Sequence, residues 1–477
     1  MDSPTTPRKI IPIEPVAPDV EMVSLYEAQK KIYPRSVSGF FSRWRWGLVI
    51  LTQLAFYGAP WLEWGQRQAV LFDLGARRFY IFGLVLYPQD FIFLTALLVI
   101  SALSLFLFTA VAGRQWCGYA CPQTVYTEIF LWIERHIEGD RSARMRLDAA
   151  PMSVAKLVRK SAKQAVWVAV ALWTGFTFVG YFTPVRELGA SFLQLGMGPW
   201  ETFWVFFYGL ATYGNAGFLR EQVCKYMCPY ARFQSAMFDR DTLIVTYDEA
   251  RGEPRGARSR KADPVTLNLG ACVDCTLCVQ VCPTGIDIRN GLQYECISCG
   301  ACIDVCNTVM DKMGYPRGLV RYSTQNAMAG GWSRSELVRR VFRPRVLVYL
   351  TTLLLLVVAL LGGLVLRAPF KVDVVRDRGA LARLVEGGKL ENVYRLQLMN
   401  ATESEQTYRI AVDGLPGLTL ATKPEIVVLP ADARWVAVRV QIQDGTATPG
   451  SHPIAFTIEA TKAGASVVEK SVFVVPR

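Results

Sequence analysis

Eight cysteines lie within residues 271–307, and their spacing constrains this chain more than any other feature. They form two runs, each with three cysteines at intervals of three residues and a fourth cysteine four residues later. The runs are Cys272, Cys275, Cys278 and Cys282, and then Cys296, Cys299, Cys302 and Cys306. This is the bacterial ferredoxin pattern, in which three thiolates bind one 4Fe-4S cluster and the fourth binds a second cluster.

The repeated spacing predicts two 4Fe-4S clusters whose fourth ligands are exchanged between the runs. One cluster is expected on Cys272, Cys275, Cys278 and Cys306, and the other on Cys296, Cys299, Cys302 and Cys282. Three thiolates at intervals of three residues wrap one cluster in a tight loop, whereas the fourth, one residue further on, reaches the other cluster. A pair of zinc sites is the alternative, but zinc motifs use pairs of cysteines rather than evenly spaced triplets.

Apolar runs dominate the rest of the chain and predict a membrane protein. Charged residues make up 19% of the chain and hydrophobic residues 52%, whereas soluble globular proteins carry roughly 25% charged residues. Five runs are long enough to cross a bilayer as helices, which takes about 20 residues. They are residues 46–64, 90–112, 165–182, 201–219 and 346–366. The third and fourth runs contain Gly, Thr or Asn, so buried helices of a soluble domain are the alternative for these two.

The distribution of positive charge predicts the orientation of the spans. Lysines and arginines number seven before the first span, then three, nine, one and eighteen in the four successive connections. Because cytoplasmic loops are enriched in these residues, we expect the N-terminus and the second and fourth connections in the cytosol, and the residues after the fifth span outside. The net charge of +12 is then explained by membrane topology, so we expect no nucleic-acid partner.

The predicted orientation places all twelve cysteines in the cytosol or at its membrane face, where thiols stay reduced and free to bind metal. Residues 1–45 are polar and proline-rich and lack an apolar signal segment, so they are expected to form a cytosolic tail. Residues 367–477 contain no cysteine and alternate apolar and polar residues between turns, as in "WVAVRVQIQ". This pattern predicts an Ig-like antiparallel sandwich that serves as a docking or structural module, with His452 in a turn.

The other four cysteines form two copies of a C-x3-C-P motif, each at the end of a predicted span. Cys117 and Cys121 lie in "RQWCGYACPQ", and Cys224 and Cys228 lie in "REQVCKYMCPY". An amphipathic helix is predicted after each motif, with the proline in its first turn. If a helix continues through the motif, two cysteines four residues apart share one face. The proline alternatively favours a bend at the second cysteine.

Four thiolates converging from a repeated pair of spans would form a soft site suited to Cu(I), with the thioether of Met227 nearby. A redox-active dithiol is a second interpretation. Buried cysteines that act as small apolar residues are a third.

Several cofactor sites are absent from the sequence. The only histidines, His136 and His452, are predicted on opposite sides of the membrane, so the chain cannot build a bis-histidine haem site. No G-x-G-x-x-G motif after a strand and no P-loop occurs. We therefore expect the electrons to come from an external donor.

The chain resembles the cytochrome c oxidase accessory proteins of the CcoG/FixG/RdxA family over nearly its full length. The resemblance lies in "WCGYACPQTVYTEIF", in "VCKYMCPYARFQSAMFD" and in the block of residues 272–306. It implies a bacterial inner-membrane iron–sulfur protein that reduces Cu(II) to Cu(I) during assembly of a haem–copper oxidase. It also implies that Cys117, Cys121, Cys224 and Cys228 take part in copper handling.

Together these inferences predict an α-helical membrane protein with five transmembrane helices, an inserted dicluster ferredoxin domain and a C-terminal Ig-like β-sandwich. The expected units are a tail (1–45), a four-helix membrane unit (46–240), a cytosolic two-cluster domain (241–345), a fifth span (346–366) and a periplasmic sandwich (367–477).

The predicted function is a one-electron relay from a cytosolic donor through the clusters to Cu(II), the substrate ion. Expected partners are the membrane, the donor, a copper transporter or oxidase assembly factors, and a second copy of the chain. One alternative is a quinol-linked carrier that serves another acceptor. The other is a non-catalytic copper chaperone or assembly scaffold.

Overall fold

The computed structural model describes residues 31–264, 266–377, 379 and 382–476. Residues 1–30 of the predicted tail lie outside the described residues, and residues 31–39 lead without regular secondary structure into the first helix. From there the chain forms a helical part, a small cysteine-rich domain, one further long helix and a β-sandwich.

The helical part contains long and short helices with five short strands between the first two. Its helices are α1 (Phe40–Gly58), α2 (Phe91–Ala112), α3 (Gln115–Tyr119), α4 (Pro122–Glu138), α5 (Arg141–Ala149), α6 (Val154–Val179), α7 (Val185–Leu193), α8 (Pro199–Thr212) and α9 (Pro229–Met237). Two π-helical segments, Tyr213–Leu219 and Val223–Met227, lie between α8 and α9. The strands are β1 (Glu63–Trp64), β2 (Arg67–Gln68), β3 (Val70–Asp73), β4 (Arg78–Ile81) and β5 (Leu84–Leu86). β1 pairs with β2, and β3 to β5 form an antiparallel sheet.

The cysteine-rich domain is built around two antiparallel strands, β6 (Ile244–Tyr247) and β7 (Val320–Ser323). Its helices are α10 (Glu249–Gly252), α11 (Leu277–Gln280), α12 (Ala301–Met313), α13 (Gln325–Gly330) and α14 (Arg334–Arg339). The buried core is small and consists mainly of Val245, Ile288, Ile303, Met310, Leu319 and Val320, together with Cys272. Because so small a core contributes little hydrophobic stabilisation, we expect bound metal to contribute to the folding of this domain.

After α15 (Pro344–Val365) the chain forms a sandwich of two antiparallel sheets. Its strands are β8 (Phe370–Arg376), β9 (Arg383–Val385), β10 (Lys389–Asn400), β11 (Gln406–Asp413), β12 (Thr419–Leu420), β13 (Glu425–Val428), β14 (Ala433–Gln443), β15 (Gly450–Ala460) and β16 (Ala465–Val475). One sheet has the order β12-β14-β10-β8, with β9 also paired to β10, and the other has the order β13-β11-β15-β16. Tyr394, Tyr408, Phe456 and Phe473 are fully buried between the sheets.

The predicted sandwich is confirmed, but the prediction for His452 is wrong. This residue lies inside β15, which pairs with β16 from its first residue to its last. The neighbouring Gly450 and Pro453 are residue types common in turns, yet both belong to β15 and pair with the edge strand β16.

Among the described residues, three helices are long and apolar enough to cross a membrane: Pro88–Ala112, Val154–Val179 and Pro344–Val365. They overlap the second, third and fifth predicted spans, and α2 packs against α15. The first predicted span corresponds to α1, which ends at Gly58 because the chain turns there into a short 3-10 helix and then β1. The fourth is divided between the 14 residues of α8 and a π-helical segment. A membrane-spanning role for these two helices stays a prediction.

A buried carboxylate joins the membrane part to the sandwich. Asp90, 3% exposed, forms ion pairs with Arg367 at 2.9 Å and with Lys371 at 2.8 Å. The sheet of β3 to β5 adds an apolar contact, in which its residues and Tyr87 form one buried cluster with Met399 and Ala431. The Tyr87 hydroxyl also donates to the carbonyl oxygen of Asn400 at 2.9 Å. Polar and apolar contacts therefore fix the sandwich against the start of α2.

We expect Asp90→Ala to destabilise this junction by about 3 kcal/mol, because removal of one partner leaves buried cations unpaired. The measurement is the rate of tryptic cleavage after Arg367 and Lys371 in the solubilised full-length protein, together with its thermal unfolding midpoint. Glu63→Ala is the matched control, since it removes an exposed ion pair with Arg186 that is worth about 0–1 kcal/mol. Equal cleavage rates in the two variants would show that the junction does not depend on the carboxylate.

Candidate metal centres

Four cysteines drawn from both runs line one cavity. They are Cys272, Cys275 and Cys278 of the first run and Cys306 of the second. The rest of the wall is mainly apolar and includes Tyr247, Val305, Val309, Met310 and Leu319. Cys275 is exposed, so this cavity reaches the protein surface. We call these four cysteines the outer site.

The other four clustered cysteines line a second cavity. They are Cys282 of the first run and Cys296, Cys299 and Cys302 of the second, and Cys278 of the outer site also borders this cavity. Cys299 is buried and the other three are partly buried. We call these four cysteines the inner site. The fold thus produces the two groups that the exchanged spacing predicts, and it supports the ligand assignment, which stays a prediction.

Left-handed backbone turns at equivalent positions give the two runs the same shape. Asp274 and Ser298, each two residues after the first cysteine of its run, have φ values of 50° and 51°. Thr276 and Gly300, each one residue after the second cysteine, have φ values of 54° and 74°. Where left-handed residues alternate with right-handed ones, successive N–H groups face a concavity that suits an anionic group.

Burial makes these thiols poor acids in the absence of metal. Burial raises the pKa of Cys278 to about 11 and the pKa of Cys296 and of Cys306 to about 12, and it raises the pKa of Cys302 well above the ordinary value. Neighbouring cysteines add to these shifts, because thiolates repel one another. Thiolate ligands in such a place require the positive charge of bound iron. The eight cysteines therefore fit two 4Fe-4S clusters, whose binding would release protons.

Single-ion sites do not assemble in the described part of the chain, where no three His, Cys, Asp or Glu side chains are close enough to share one metal ion. A tetrahedral zinc site would hold its sulfur atoms about 3.8 Å apart, given a Zn–S distance of about 2.3 Å. The clustered cysteines instead surround two cavities. This arrangement favours the cluster interpretation over the zinc alternative.

Both C-x3-C-P motifs bend at their second cysteine. Cys121 has φ −61° and ψ 128°, and Cys228 has φ −76° and ψ 112°. These extended conformations arise because a proline disfavours helical backbone in the residue before it. Pro122 and Pro229 then occupy the first turns of α4 and α9. Of the two geometries open from the sequence, the bend is the one that forms.

The structure brings the four motif cysteines close to one another, and we call them the thiol quartet. Cys224 interacts electrostatically with Cys121, Cys117 and Cys228. Cys117 is buried, whereas the other three are partly buried. Burial raises the pKa of Cys224 to about 12, and the guanidinium of Arg114 partly opposes the shift. The four thiols do not form a closed single-ion site, so copper ligation by the quartet stays a prediction.

The second motif carries one extra residue between its arginine and its first cysteine. Arg114 precedes Cys117 by three residues, whereas Arg220 precedes Cys224 by four. The extra residue coincides with the π-helical segment Val223–Met227. A π-helical turn accommodates one inserted residue and is frequent at functional sites. Cys224 therefore stays close to the first motif despite the different spacing.

The first motif packs directly on the loop that carries the inner site. Cys117 belongs to one buried cluster with Ile297 and Cys299. A Cβ atom on Gly118 would lie 2.6 Å from the carbonyl oxygen of Ile297 and 2.9 Å from Cα of Cys299, so only glycine permits this approach. Gln234, 1% exposed, donates from Nε2 to Sγ of Cys117 at 3.5 Å. The thiol quartet and the inner site are thus in direct contact.

A buried ion network anchors the chain before the second motif. Glu134 of α4 accepts hydrogen bonds from Arg144 at 2.9 Å and from Arg220 at 3.1 Å. Lys163 of α6 lies 2.9 Å from Glu138 on the next turn of α4. The network therefore connects α4, α5 and α6 to Arg220, which directly follows the first π-helical segment.

Sequence reasoning missed two buried arginines beside the inner site. Arg45 of α1 pairs with Oε2 of Glu128 at 2.9 Å and lines a cavity together with Cys299. Arg114 donates to the carbonyl oxygen of Tyr294. The signal for Arg114 was present, because an arginine precedes the cysteines in both "RQWC" and "REQVC".

Three protein-family models match the chain. A family described as a 4Fe-4S dicluster domain matches residues 219–325, and one described as a 4Fe-4S binding domain matches residues 94–138. A family described as an IG-like fold at the C-terminal of FixG matches residues 360–476. The chain is therefore an iron–sulfur protein with an Ig-like C-terminal domain.

Curated relatives match most of the chain. Nitrogen fixation protein FixG of Rhizobium meliloti is 40% identical over an alignment of 448 residues, which covers 87% of this chain and 85% of FixG. Protein RdxB of Cereibacter sphaeroides is 38% identical over an alignment of 472 residues, which covers 96% of this chain and 98% of RdxB. Protein RdxA of the same organism is 40% identical over 402 residues, 83% of this chain and 84% of RdxA. A crystal structure of a FixG-related protein from Vibrio parahaemolyticus covers 23% of this chain and 97% of that chain at 24% identity, with a TM-score of 0.21. With such identities over most of each curated relative, the chain belongs to the FixG/RdxA family.

Proposed function

We propose that this protein is a membrane-bound one-electron relay that reduces Cu(II) to Cu(I) at the thiol quartet. The observation that carries the proposal is the direct packing of the first motif, Cys117 and Gly118, on the inner-site loop. When bound, two 4Fe-4S clusters supply one-electron redox chemistry. A cytosolic donor gives up one electron for each Cu(II) that becomes Cu(I), so the reaction balances without another reactant.

The residues of the two sites divide the path into an exposed end and a buried end. Cys275 opens the outer site to solvent, where a donor protein can approach. Cys299, which is buried, holds the inner site against Cys117. The last step of the proposed path therefore begins between the buried Cys299 and the buried Cys117, away from the exposed Cys275.

The thiol quartet favours the product over the substrate. Thiolates are soft ligands that stabilise Cu(I), so copper binding and copper reduction proceed in the same direction. Because burial raises the pKa of Cys224 to about 12, copper must displace a proton to bind that sulfur. Copper affinity is therefore expected to rise with pH over the range in which this thiol stays protonated.

A second candidate for the quartet is a third 4Fe-4S cluster. The observation that favours it is the match of residues 94–138, which contain Cys117 and Cys121, to a 4Fe-4S binding family. Two cysteines do not complete such a cluster, but the second motif would supply the remaining two. In this case the acceptor would be another molecule, as for a quinol-linked carrier.

The proposed orientation places the N-terminus and both cluster sites in the cytosol and the sandwich in the periplasm of a bacterial cell. It is supported by the lysine and arginine counts of the connections. A copper transporter or oxidase assembly factors on either side of the membrane are the proposed partners.

We expect the double variant Cys224→Ala/Cys228→Ala to lose Cu(I) production while it keeps its iron, because the soft acceptor site is removed and the cluster ligands are not. The measurement is anaerobic mixing of reduced protein with Cu(II) and a Cu(I)-specific chelator, following cluster bleaching and Cu(I) together. His136→Gln is the matched control, since it removes an exposed imidazole of α4 and no thiol.

Iron and sulfide contents separate the candidates for the quartet. With copper at the quartet, wild type and double variant both contain about eight iron atoms per chain. With a third cluster, wild type contains about twelve and the variant about eight. Full Cu(I) production by the double variant would remove these thiols from the mechanism and favour a non-catalytic scaffold role for them.

We also expect Gly118→Ala to slow cluster oxidation by Cu(II) about tenfold or more, because the added methyl group meets backbone atoms and displaces the motif. Overpacking of this kind costs about 1–3 kcal/mol, so the protein is expected to fold. Gly47→Ala in α1 is the control, since a Cβ atom there has no neighbour within 4 Å. The measurement is stopped-flow bleaching of the reduced clusters, and an unchanged rate would refute the direct path.

A further inference from the structure

The inner site lies deeper in the protein than the outer site, and this difference affects electron transfer. Reduction adds a negative charge to a cluster, and burial disfavours added charge. An inner cluster without nearby cations would therefore have the lower reduction potential. An electron arriving at the outer site would then stay there, away from the thiol quartet.

Two buried arginines oppose this effect at the inner site. Arg45 is 8% exposed, and its guanidinium lines a cavity whose wall includes Cys299 and Pro283. Its pair with Glu128 cancels part of its field.

Arg114 is the less compensated of the two cations. It is 4% exposed and donates to the carbonyl oxygen of Tyr294, two residues before Cys296. Its guanidinium interacts electrostatically with Cys296 of the inner site and with Cys224 of the thiol quartet. No carboxylate in the described part of the chain forms an ion pair with it. The buried carboxylate of Asp304 in α12 instead accepts from the backbone N–H groups of Phe41 and Ser42 at the start of α1.

The charges at the outer site are balanced differently. Arg289 pairs there with both Asp274 and Asp287. Arg258, which is partly exposed, donates to the carbonyl oxygens of Gly270 and Cys272. Because two carboxylates pair with Arg289, they cancel most of its field at the outer site.

We propose that Arg45 and Arg114 raise the reduction potential of the inner cluster and so draw the electron from the outer site toward the thiol quartet. The direction of flow rests on the proposed function, whereas the effect on the potential does not. The two arginines thus act through the charge that they place beside the inner cluster, and neither needs to touch copper.

The test is an anaerobic redox titration of the purified full-length protein, followed by electron paramagnetic resonance, without copper. Cys275→Ser identifies the outer-cluster signal. We expect Arg114→Gln to lower the inner potential alone, by at least a tenfold change in the reduction equilibrium, which is about 59 mV for one electron. Arg114→Lys keeps the charge and is expected to restore most of the potential. Arg317→Gln, which removes an exposed pair with Asp311, should leave both potentials unchanged.

Glu128→Gln gives an independent test that does not remove a cation. It eliminates the counter-charge of Arg45, so the inner potential is expected to rise. The double variant Arg45→Gln/Glu128→Gln is expected to have a lower inner-cluster potential than Glu128→Gln alone. If Arg114→Gln assembles no clusters, the opposite shifts of the Glu128 variants decide the proposal.

Inner potentials that do not move, or outer and inner potentials that move together, would overturn the inference. Because copper is absent from the titration, the outcome is separate from the proposed function. Shifts as expected in a protein that never reduces Cu(II) would refute the copper proposal alone.

Discussion

The backbone contact between Gly118 and the inner-site loop is the interaction on which the rest of the arrangement depends. It joins a helical membrane unit to a domain with a different architecture and a very small core. Further contacts gather around the same loop. The Tyr322 hydroxyl donates to the carbonyl oxygen of Ser298 at 2.6 Å, and Asp304 caps the first N–H groups of α1. These contacts make the redox domain part of the membrane unit rather than an appendage on a linker.

Burial of charge recurs in this protein, and each case is compensated in a different way. Asp90 is compensated by two cations from the far side of a domain junction. Glu134 is compensated by cations from several helices. Among the clustered cysteines, burial raises the pKa of Cys278, Cys296, Cys302 and Cys306, so these thiols stay protonated until a metal centre supplies positive charge. The first two cases fix the structure, whereas the third couples the folding of the domain to cofactor insertion.

Spacing in the sequence predicted the parts of this protein that depend on local chemistry. The cysteine runs indicated the two groups that the fold forms, and alternation after residue 367 indicated the sandwich. The bend at Cys121 also follows from the next residue alone. The helix that corresponds to the first predicted span begins and ends six residues before it, because hydropathy does not show where the chain turns into β1. His452 was misplaced because a strand with a glycine and a proline resembles a turn.

Contacts between distant residues could not be predicted in this way. Nothing near Arg45 in the sequence points to Glu128 or to Cys299, because all three meet only when α1, α4 and the inner loop pack together. The π-helical insertion was visible as a difference of one residue between "RQWC" and "REQVC". Only the structure shows that the extra residue lies at a π-helical segment, since an inserted residue can equally lengthen a loop.

The two C-x3-C-P motifs are repeats in sequence, but their arginines take different partners. Arg114 lies against the inner site and is not paired with a carboxylate in the described part of the chain, whereas Arg220 is held by Glu134. A cation paired with a carboxylate produces little electric field beyond that pair. Arg220 therefore fixes the position of the second motif, whereas the charge of Arg114 acts on the inner site beside the first motif. The first motif also makes the glycine contact with the redox domain. Under the proposed function the repeat therefore divides two tasks: the first copy would deliver the electron, and the second copy would hold the acceptor site in place.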